Sequence, residues 1–397
     1  DLNPEFAAVY NNLGNVFNSL EEHDDAIKYY KKAILIKPNY YDSYVNSGAH
    51  YKDKSCHGKA MTNYNRAILL NKNYAEAYIG VGNVFFSVKN YHDALASYLK
   101  AEELDKTLNN SSNILISNIA KSLRNLERYE EAADYFSKLG TRKTAAISLE
   151  CLYWGRHYDQ LAVAQKELFD KDPYNIRAAA FSAFVSNQLS TVNNYPWCGN
   201  PLKLFYNNNL KNYDINSDKL IKNILAEIEL ESTTFEPRGK TTKGGYQTKS
   251  DLFPAKTEAL TILQDIIKKE IECFFQKFRE MDIPLIKAWP IESHLVGWFV
   301  RLIKDGYQDP HIHPDGWISG VIYLKTVDPQ ETNEGAIELS LHGYGYPLSD
   351  KPYPKRLFQP QNGDLILFPS SLFHKTIPFK QRAERCIIAF DLVPSAL

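Results

Sequence analysis

The sequence predicts an α + β multidomain chain: an α-solenoid of helix pairs, then a double-stranded β-helix, the jelly-roll or cupin-like barrel, with supporting helices. Three observations carry that prediction. A 34-residue period runs through the first half, the composition shifts to turn formers at Ser190, and short strand-like runs divided by turn-rich segments fill the C-terminal part. At 397 residues the chain exceeds one ordinary core. The expected domains are 1–189 and 190–397.

Tyr10, Gly14, Phe17, Ala26, Tyr30, Ala33 and Pro38 recur as Tyr44, Gly48, Tyr51, Ala60, Tyr64 and Ala67, then as Tyr78, Gly82, Phe85, Ala94, Tyr98 and Ala101. That period is the tetratricopeptide signature. Small residues let two helices cross closely and aromatics fill the gap, so the Tyr and Phe positions are expected in the core. Three repeats run from Ala7 to Leu108. A fourth, displaced by Asn109 to Ser112, continues through Ile116, Ala120, Leu123, Ala132 and Phe136. A degenerate fifth carries Tyr158, Leu161, Leu168 and Pro173, and Ile176 to Leu189 reads as a capping helix. Such a solenoid offers a groove for a protein or peptide partner, with Asn11, Asn15, Asn46 and Asn83 as candidate contacts.

Beyond the junction, Leu220 to Leu230 and Lys256 to Phe278 show helical periodicity, the second long enough to support a sheet. The loop between them, Phe235 to Thr248, holds glycines, lysines and threonines, but not in phosphate-cradle order. Strands are expected at His294 to Ile303, Trp317 to Lys325, Ala336 to Leu341, Asp364 to Phe368 and Arg385 to Val393.

The chemistry gathers on His311 to Leu324 and a distant His374. Residues two apart on an extended segment project to one side, so His311 with His313, or His313 with Asp315, could grip one ion. His374 follows an apolar strand-like run. Two imidazoles and a carboxylate with open positions mark non-haem Fe(II) sites. Arg385, opening the last strand, needs an anionic partner if it points into an apolar barrel, and a dicarboxylate would supply one. Arg301 is a second candidate for that contact, with Tyr323 and Ser319 as hydrogen-bond donors to it. Trp317 is expected as a pocket wall, and His294 and His342 as structural.

His-x-His-Pro-x-Gly-Trp-Ile-Ser-Gly, then Gly-Asp-Leu-Ile-Leu-Phe-Pro-Ser-x-x-x-His, then Arg-x-Ile-Ile-Ala-Phe-Asp resembles the 2-oxoglutarate/Fe(II) oxygenase family found in bacteria behind tetratricopeptide repeats. More distantly the chain resembles aspartyl/asparaginyl β-hydroxylase. The resemblance spans Trp298 to Pro394 and implies the double-stranded β-helix, Fe(II), 2-oxoglutarate and O2, with His313, His374 and Arg385 as catalytic residues. It also implies that the loop from Phe235 to Thr248 borders the site. The superfamily's His-x-Asp pattern selects His313, Asp315 and His374 as ligands; the nearer His-x-His-Pro pattern selects His311, His313 and His374. The second is preferred, since His311 stands twelve residues before Tyr323.

Hydroxylation of a protein or peptide side chain recruited by the repeats is the expected activity. A non-catalytic adaptor, or a cupin-like metal enzyme without 2-oxoglutarate, are the alternatives. A net charge of -1 speaks against nucleic acid or anionic membrane as partner. No apolar run approaches the roughly 20 residues of a spanning helix, so a soluble chain is expected. Five cysteines without paired or metal-type spacing fit a reducing cytoplasm. The first residues carry no basic and apolar leader, as expected of a mature or trimmed chain.

Overall fold

The computed structural model describes residues 6–105, 113–254 and 257–395, so Asn109 to Ser112, Leu108 and Lys256 lie outside the described residues. The chain divides into two compact units, Asp1–Tyr158 and Asp159–Leu397.

The first unit is an array of antiparallel helices: α1 (Phe6–Ser19), α2 (His23–Ile36), α3 (Tyr41–Asp53), α4 (His57–Leu70), α5 (Ala75–Ser87), α6 (Tyr91–Asp105), α7 (Asn113–Asn125), α8 (Tyr129–Ser137) and α9 (Arg142–Trp154). The repeated glycines and tyrosines explain each other. A Cβ on Gly14 would fall 2.4 Å from the Tyr30 ring, and one on Gly82 would fall 2.5 Å from the Tyr98 ring. Each tyrosine thus lies flat on the backbone of the preceding helix, and Tyr30, Tyr64 and Tyr98 are buried. The other aromatics of the repeat, Tyr10, Tyr44, Tyr78, Phe17, Tyr51 and Phe85, are only half-buried.

The four asparagines expected to meet a ligand also hydrogen-bond within the array, Asn15 being exposed and Asn46 and Asn83 half-buried. Asn11 Oδ1 accepts from Ser43 Oγ and Asn46 Nδ2, Asn15 Oδ1 accepts from Tyr30, and Asn83 Oδ1 accepts from Tyr98 and Asn118.

The second unit holds α10 (Tyr158–Lys171), α11 (Ile176–Leu189), α12 (Ser217–Ile228), α13 (Glu258–Phe278) and the single turn α14 (Pro284–Lys287). The helix expected as a solenoid cap, α11, packs Phe181 and Phe184 against Tyr346, and Gln188 accepts from the Ser349 amide and hydroxyl. The support helix appears as α13, its start held by the Glu227 carboxylate through Thr257 and the Ala259 and Leu260 amides.

Ten strands of the described residues form one curled antiparallel, jelly-roll-like sheet: β1 (Tyr206–Asn209), β2 (Thr233–Phe235), β3 (Thr242–Thr248), β4 (Ser293–His311), β5 (Ile318–Lys325), β6 (Ile337–Ser340), β7 (Lys355–Phe358), β8 (Asp364–Pro369), β9 (Phe373–Thr376) and β10 (Arg385–Pro394). The main order is β1-β8-β5-β10-β4-β9-β6-β7, with β3 also on β4 and β2 on β3. β4 is the spine. Its first half pairs with β10, and its far end, after a register shift, pairs with β9. Alternation sends Val300, Leu302, Val321, Tyr323, Ile387 and Ala389 into one core with Ile337, Leu339, Ile366 and Phe368. All five expected strands are present; β1, β2, β3, β7 and β9 were not foreseen.

Candidate metal centre

The end of β4 faces β9 so that His311 and His374 are cross-strand partners, their rings 4.2 Å apart. His313 follows two residues later in a turn closed by the Gly316 amide donating to the His313 carbonyl at 3.1 Å. Pro314 presets the first corner of that turn. Gly316 is required, because a Cβ there would fall 2.6 Å from Ser370 Oγ. The turn sets the His313 ring 5.2 Å from His311 and 4.9 Å from His374. One ligand atom from each imidazole lies within 4.8 Å of the others, and among the described residues no other group of three such side chains converges this way.

Each ring is oriented through Nδ1. His311 Nδ1 is 2.6 Å from the Asp309 carbonyl and His374 Nδ1 is 3.2 Å from the Leu372 carbonyl. A carbonyl only accepts, so both Nδ1 atoms carry the proton and both Nε2 lone pairs are free. His313 Nδ1 is 2.6 Å from Asp391 Oδ1, and Ser319 Oγ donates to the same oxygen at 2.6 Å while contacting Ser370 Oγ at 2.8 Å. Three buried or nearly buried imidazoles thus present Nε2 with Nδ1 held from behind, the arrangement of a ligand set with its supporting shell. Burial, then the neighbouring His313, pushes the His311 pKa down to about 3; burial and its two neighbours hold His374 well below the usual histidine range. Both rings are neutral at physiological pH, the state in which they bind a metal.

Arg385 lies in the same unit, and on β10 it faces the same side as Ile387, Ala389 and Asp391, since these alternate by two. It is 1 % exposed, its Nε donates to the Gly335 carbonyl at 3.1 Å, and its guanidinium sits 5.0 Å from the centre of the Tyr323 ring. No carboxylate of the described residues pairs with it. Its Nη1 and the Tyr323 hydroxyl are buried without a well-formed hydrogen bond. Burial lowers the Arg385 pKa and pushes Tyr323 up to about 12. A fully desolvated guanidinium with open donors is costly unless an anion completes it.

Other expected site residues stand elsewhere. Asp315 occupies the second corner of the turn after His313, where it is exposed at the edge of the cavity and outside the histidine cluster. Arg301 falls on the opposite face of β4 from Val300 and Leu302, stacked 4.7 Å over Tyr246 with Glu384 3.9 Å away. It is therefore not a contact for a carboxylate inside the barrel. Ser319 Oγ lies 3.0 Å from His313 Nδ1 and donates to Asp391 Oδ1. Trp317 is core, its Nε1 donating to the Leu285 carbonyl and its ring against Trp197 and Tyr174. His342 is structural, bonded to the Tyr346 carbonyl and stacked on Tyr353; His294 is exposed on β4.

A cavity of about 440 Å³ opens over the histidines, walled by Trp298, Gln308 and Tyr344 and by the loop Gly239-Lys240-Thr241. The turn from β2 to β3 therefore borders the mouth. Two residues escaped the sequence reading: Trp298, its ring 5.2 Å from His313, and Asp391. Asp391 had a signal, since it stands an even number of residues after Arg385 and so shares its face.

Residues 297–391 match the family described as "Putative 2OG-Fe(II) oxygenase", and residues 7–40 and 75–108 match tetratricopeptide repeats. No curated protein matches the chain. Among solved structures the chain is similar to the Sgt2 TPR domain from Aspergillus fumigatus, at 24 % identity over 30 % of this chain and 79 % of that one, TM-score 0.29. It is also similar to the first TPR domain of human RPAP3, at 25 % identity over 31 % and 94 %, TM-score 0.29, and to MamA, at 18 % over 42 % and 92 %, TM-score 0.36. No helix of the described residues is long and apolar enough to cross a membrane.

Proposed function

We propose that this chain, which carries N-terminal tetratricopeptide repeats and a C-terminal domain of the 2-oxoglutarate/Fe(II) oxygenase family, is a dioxygenase that hydroxylates a protein or peptide side chain. The observation that carries the reading is Arg385: a buried cation with open donors and no anionic partner among the described residues, in the unit that also gathers three imidazoles. A cosubstrate with a free carboxylate answers the first, and a divalent iron answers the second.

His311, His313 and His374 would hold the iron, and Arg385 with Tyr323 would hold the far carboxylate of 2-oxoglutarate. Iron with 2-oxoglutarate supplies oxidation by O2 coupled to loss of CO2 from the cosubstrate, which leaves as succinate. The chain's own part is positioning. Asp391, Ser319 and Ser370 fix the His313 ring, the Asp309 and Leu372 carbonyls fix the other two, and Trp298 and Tyr344 keep bulk water from the cavity. The repeats would recruit the protein substrate, in a reducing cytoplasm that leaves the five cysteines free.

Anaerobic addition of Fe(II) and 2-oxoglutarate to metal-free protein tests this through the visible charge-transfer band of the chelate. The parent is expected to show the band and Arg385→Lys to need at least tenfold more 2-oxoglutarate for it. Iron binding without any band would sink the reading. It would favour a cupin-like metal enzyme without 2-oxoglutarate, which an all-histidine ligand set also suits.

A further inference from the structure

The cavity over the histidines does not end at Trp298. A second cavity, of about 330 Å³, shares Lys240, Gln247 and Trp298 with it and continues past Arg238, Lys249 and Val296. The two lie side by side along β3 and β4, so an extended chain entering one continues into the other.

The cations along this path gather at its outer end. Arg238, Lys240 and Lys249 are exposed and form no ion pair with a carboxylate of the described residues. Of the three carboxylates on the path only Asp251, whose Oδ1 accepts from the Gly297 amide at 2.8 Å and the Phe253 amide at 3.2 Å, lines the outer cavity; Asp315 and Asp391 line the histidine end. The outer cavity is therefore a cationic trough in a chain whose net charge is -1.

Resting on the oxygenase reading, we infer that the substrate is an extended peptide segment carrying Asp or Glu residues that lie in the outer cavity while a neighbouring residue reaches the metal. Three exposed cations against one carboxylate, next to the amide of Gln247 and the face of Trp298, suit carboxylates spaced along a peptide. A nucleic acid strand would ask for a longer basic track than three side chains provide. Peptide amides find donors and acceptors in Gln247 and Gln308, and an apolar side chain finds Trp298.

The test uses full-length protein with Fe(II) and 2-oxoglutarate under anaerobic conditions. Fluorescence anisotropy is read with labelled peptides of equal length in which every third residue is Glu, Gln or Lys, and with a labelled oligothymidylate. The Glu peptide is expected to bind at least tenfold tighter than the Gln peptide at low salt, and the Lys peptide most weakly. Arg238→Gln with Lys249→Gln should weaken the Glu peptide about threefold per charge removed and leave the Gln peptide unchanged. Equal affinity for Glu and Gln peptides, an unaffected double variant, or tighter binding of the oligothymidylate would each overturn the inference. The chelate band is recorded on the same samples. A band without acidic preference refutes the substrate class alone, whereas acidic preference without a band keeps the trough and removes the oxygenase reading.

Discussion

Asp391 Oδ1 lies 2.6 Å from His313 Nδ1, and the two residues come from β10 and from the turn after β4, 78 positions apart in the chain. The usual iron set has a carboxylate as a direct ligand; here the carboxylate stands one imidazole behind. Asp391→Asn keeps the shape and removes the charge. Metal affinity should fall about 10- to 100-fold by calorimetric titration, and Ser319→Ala should give a smaller loss. Unchanged affinity in Asp391→Asn would leave the pair a packing detail.

Arg385 costs stability as long as no anion meets it. Arg385→Met fills similar volume without the charge, so the metal-free variant should be as stable as the parent or more so, by roughly 1 to 4 kcal/mol. 2-Oxoglutarate should raise the melting temperature of the iron-loaded parent and not that of the variant. Calorimetric scans of both proteins decide it, and a variant several degrees less stable would show that Arg385 is already satisfied.

The buried imidazoles set a pH dependence. The His311 pKa, held at about 3, and that of His374, held low, lie below the ordinary value of 6.5. The unfolded chain therefore takes up protons that the folded chain refuses. Their contribution is full above pH 6.5 and shrinks as the pH falls toward the folded values, by about 1.4 kcal/mol per pH unit for each ring. Metal-free protein should show a lower urea midpoint at pH 5 than at pH 7, followed by the fluorescence of Trp197, Trp289, Trp298 and Trp317. His311→Gln should flatten that slope by about half. A parent midpoint independent of pH over this range would contradict the assignment.

In the repeats, Gly82→Ala would drive a Cβ to 2.5 Å from the Tyr98 ring. Overpacking of that kind costs about 1 to 3 kcal/mol, more than the helix propensity of alanine returns. Gly58→Ala on α4 is the control, since a Cβ there meets nothing within 4 Å, and it should be neutral or stabilising. Circular dichroism melts of the two variants separate packing from propensity.

Much of this architecture was legible in the sequence, for physical reasons. The repeats announce themselves because each glycine and tyrosine meets the same partner every 34 residues. The five long or strongly apolar strands were readable because burial on both faces leaves continuous apolar runs. β1, β7 and β9 were not, being four residues each without the apolar flanks that Ala336 and Leu341 give β6, and β3 is rich in glycine and polar residues. The histidine pair and His374 were legible as chemistry. The exclusion of Asp315 was not, because it depends on which corner of a turn the residue occupies. The alternation that puts Val300 and Leu302 inside turns Arg301 to the other face, and the same alternation from Arg385 brings Asp391 to the histidines.

β6, β7 and β9 join the rest of the sheet through β9 alone, and β9 touches β4 at only two registered positions, Gln308 with Thr376 and His311 with His374. An ion gripped by His311 and His374 would be a rivet through that seam, closing the long loop of chain between them. Loading the metal would then do mechanical as well as chemical work, clasping one lip of the barrel to the other, and amides of β6 and β9 should exchange more slowly with solvent once it is in place.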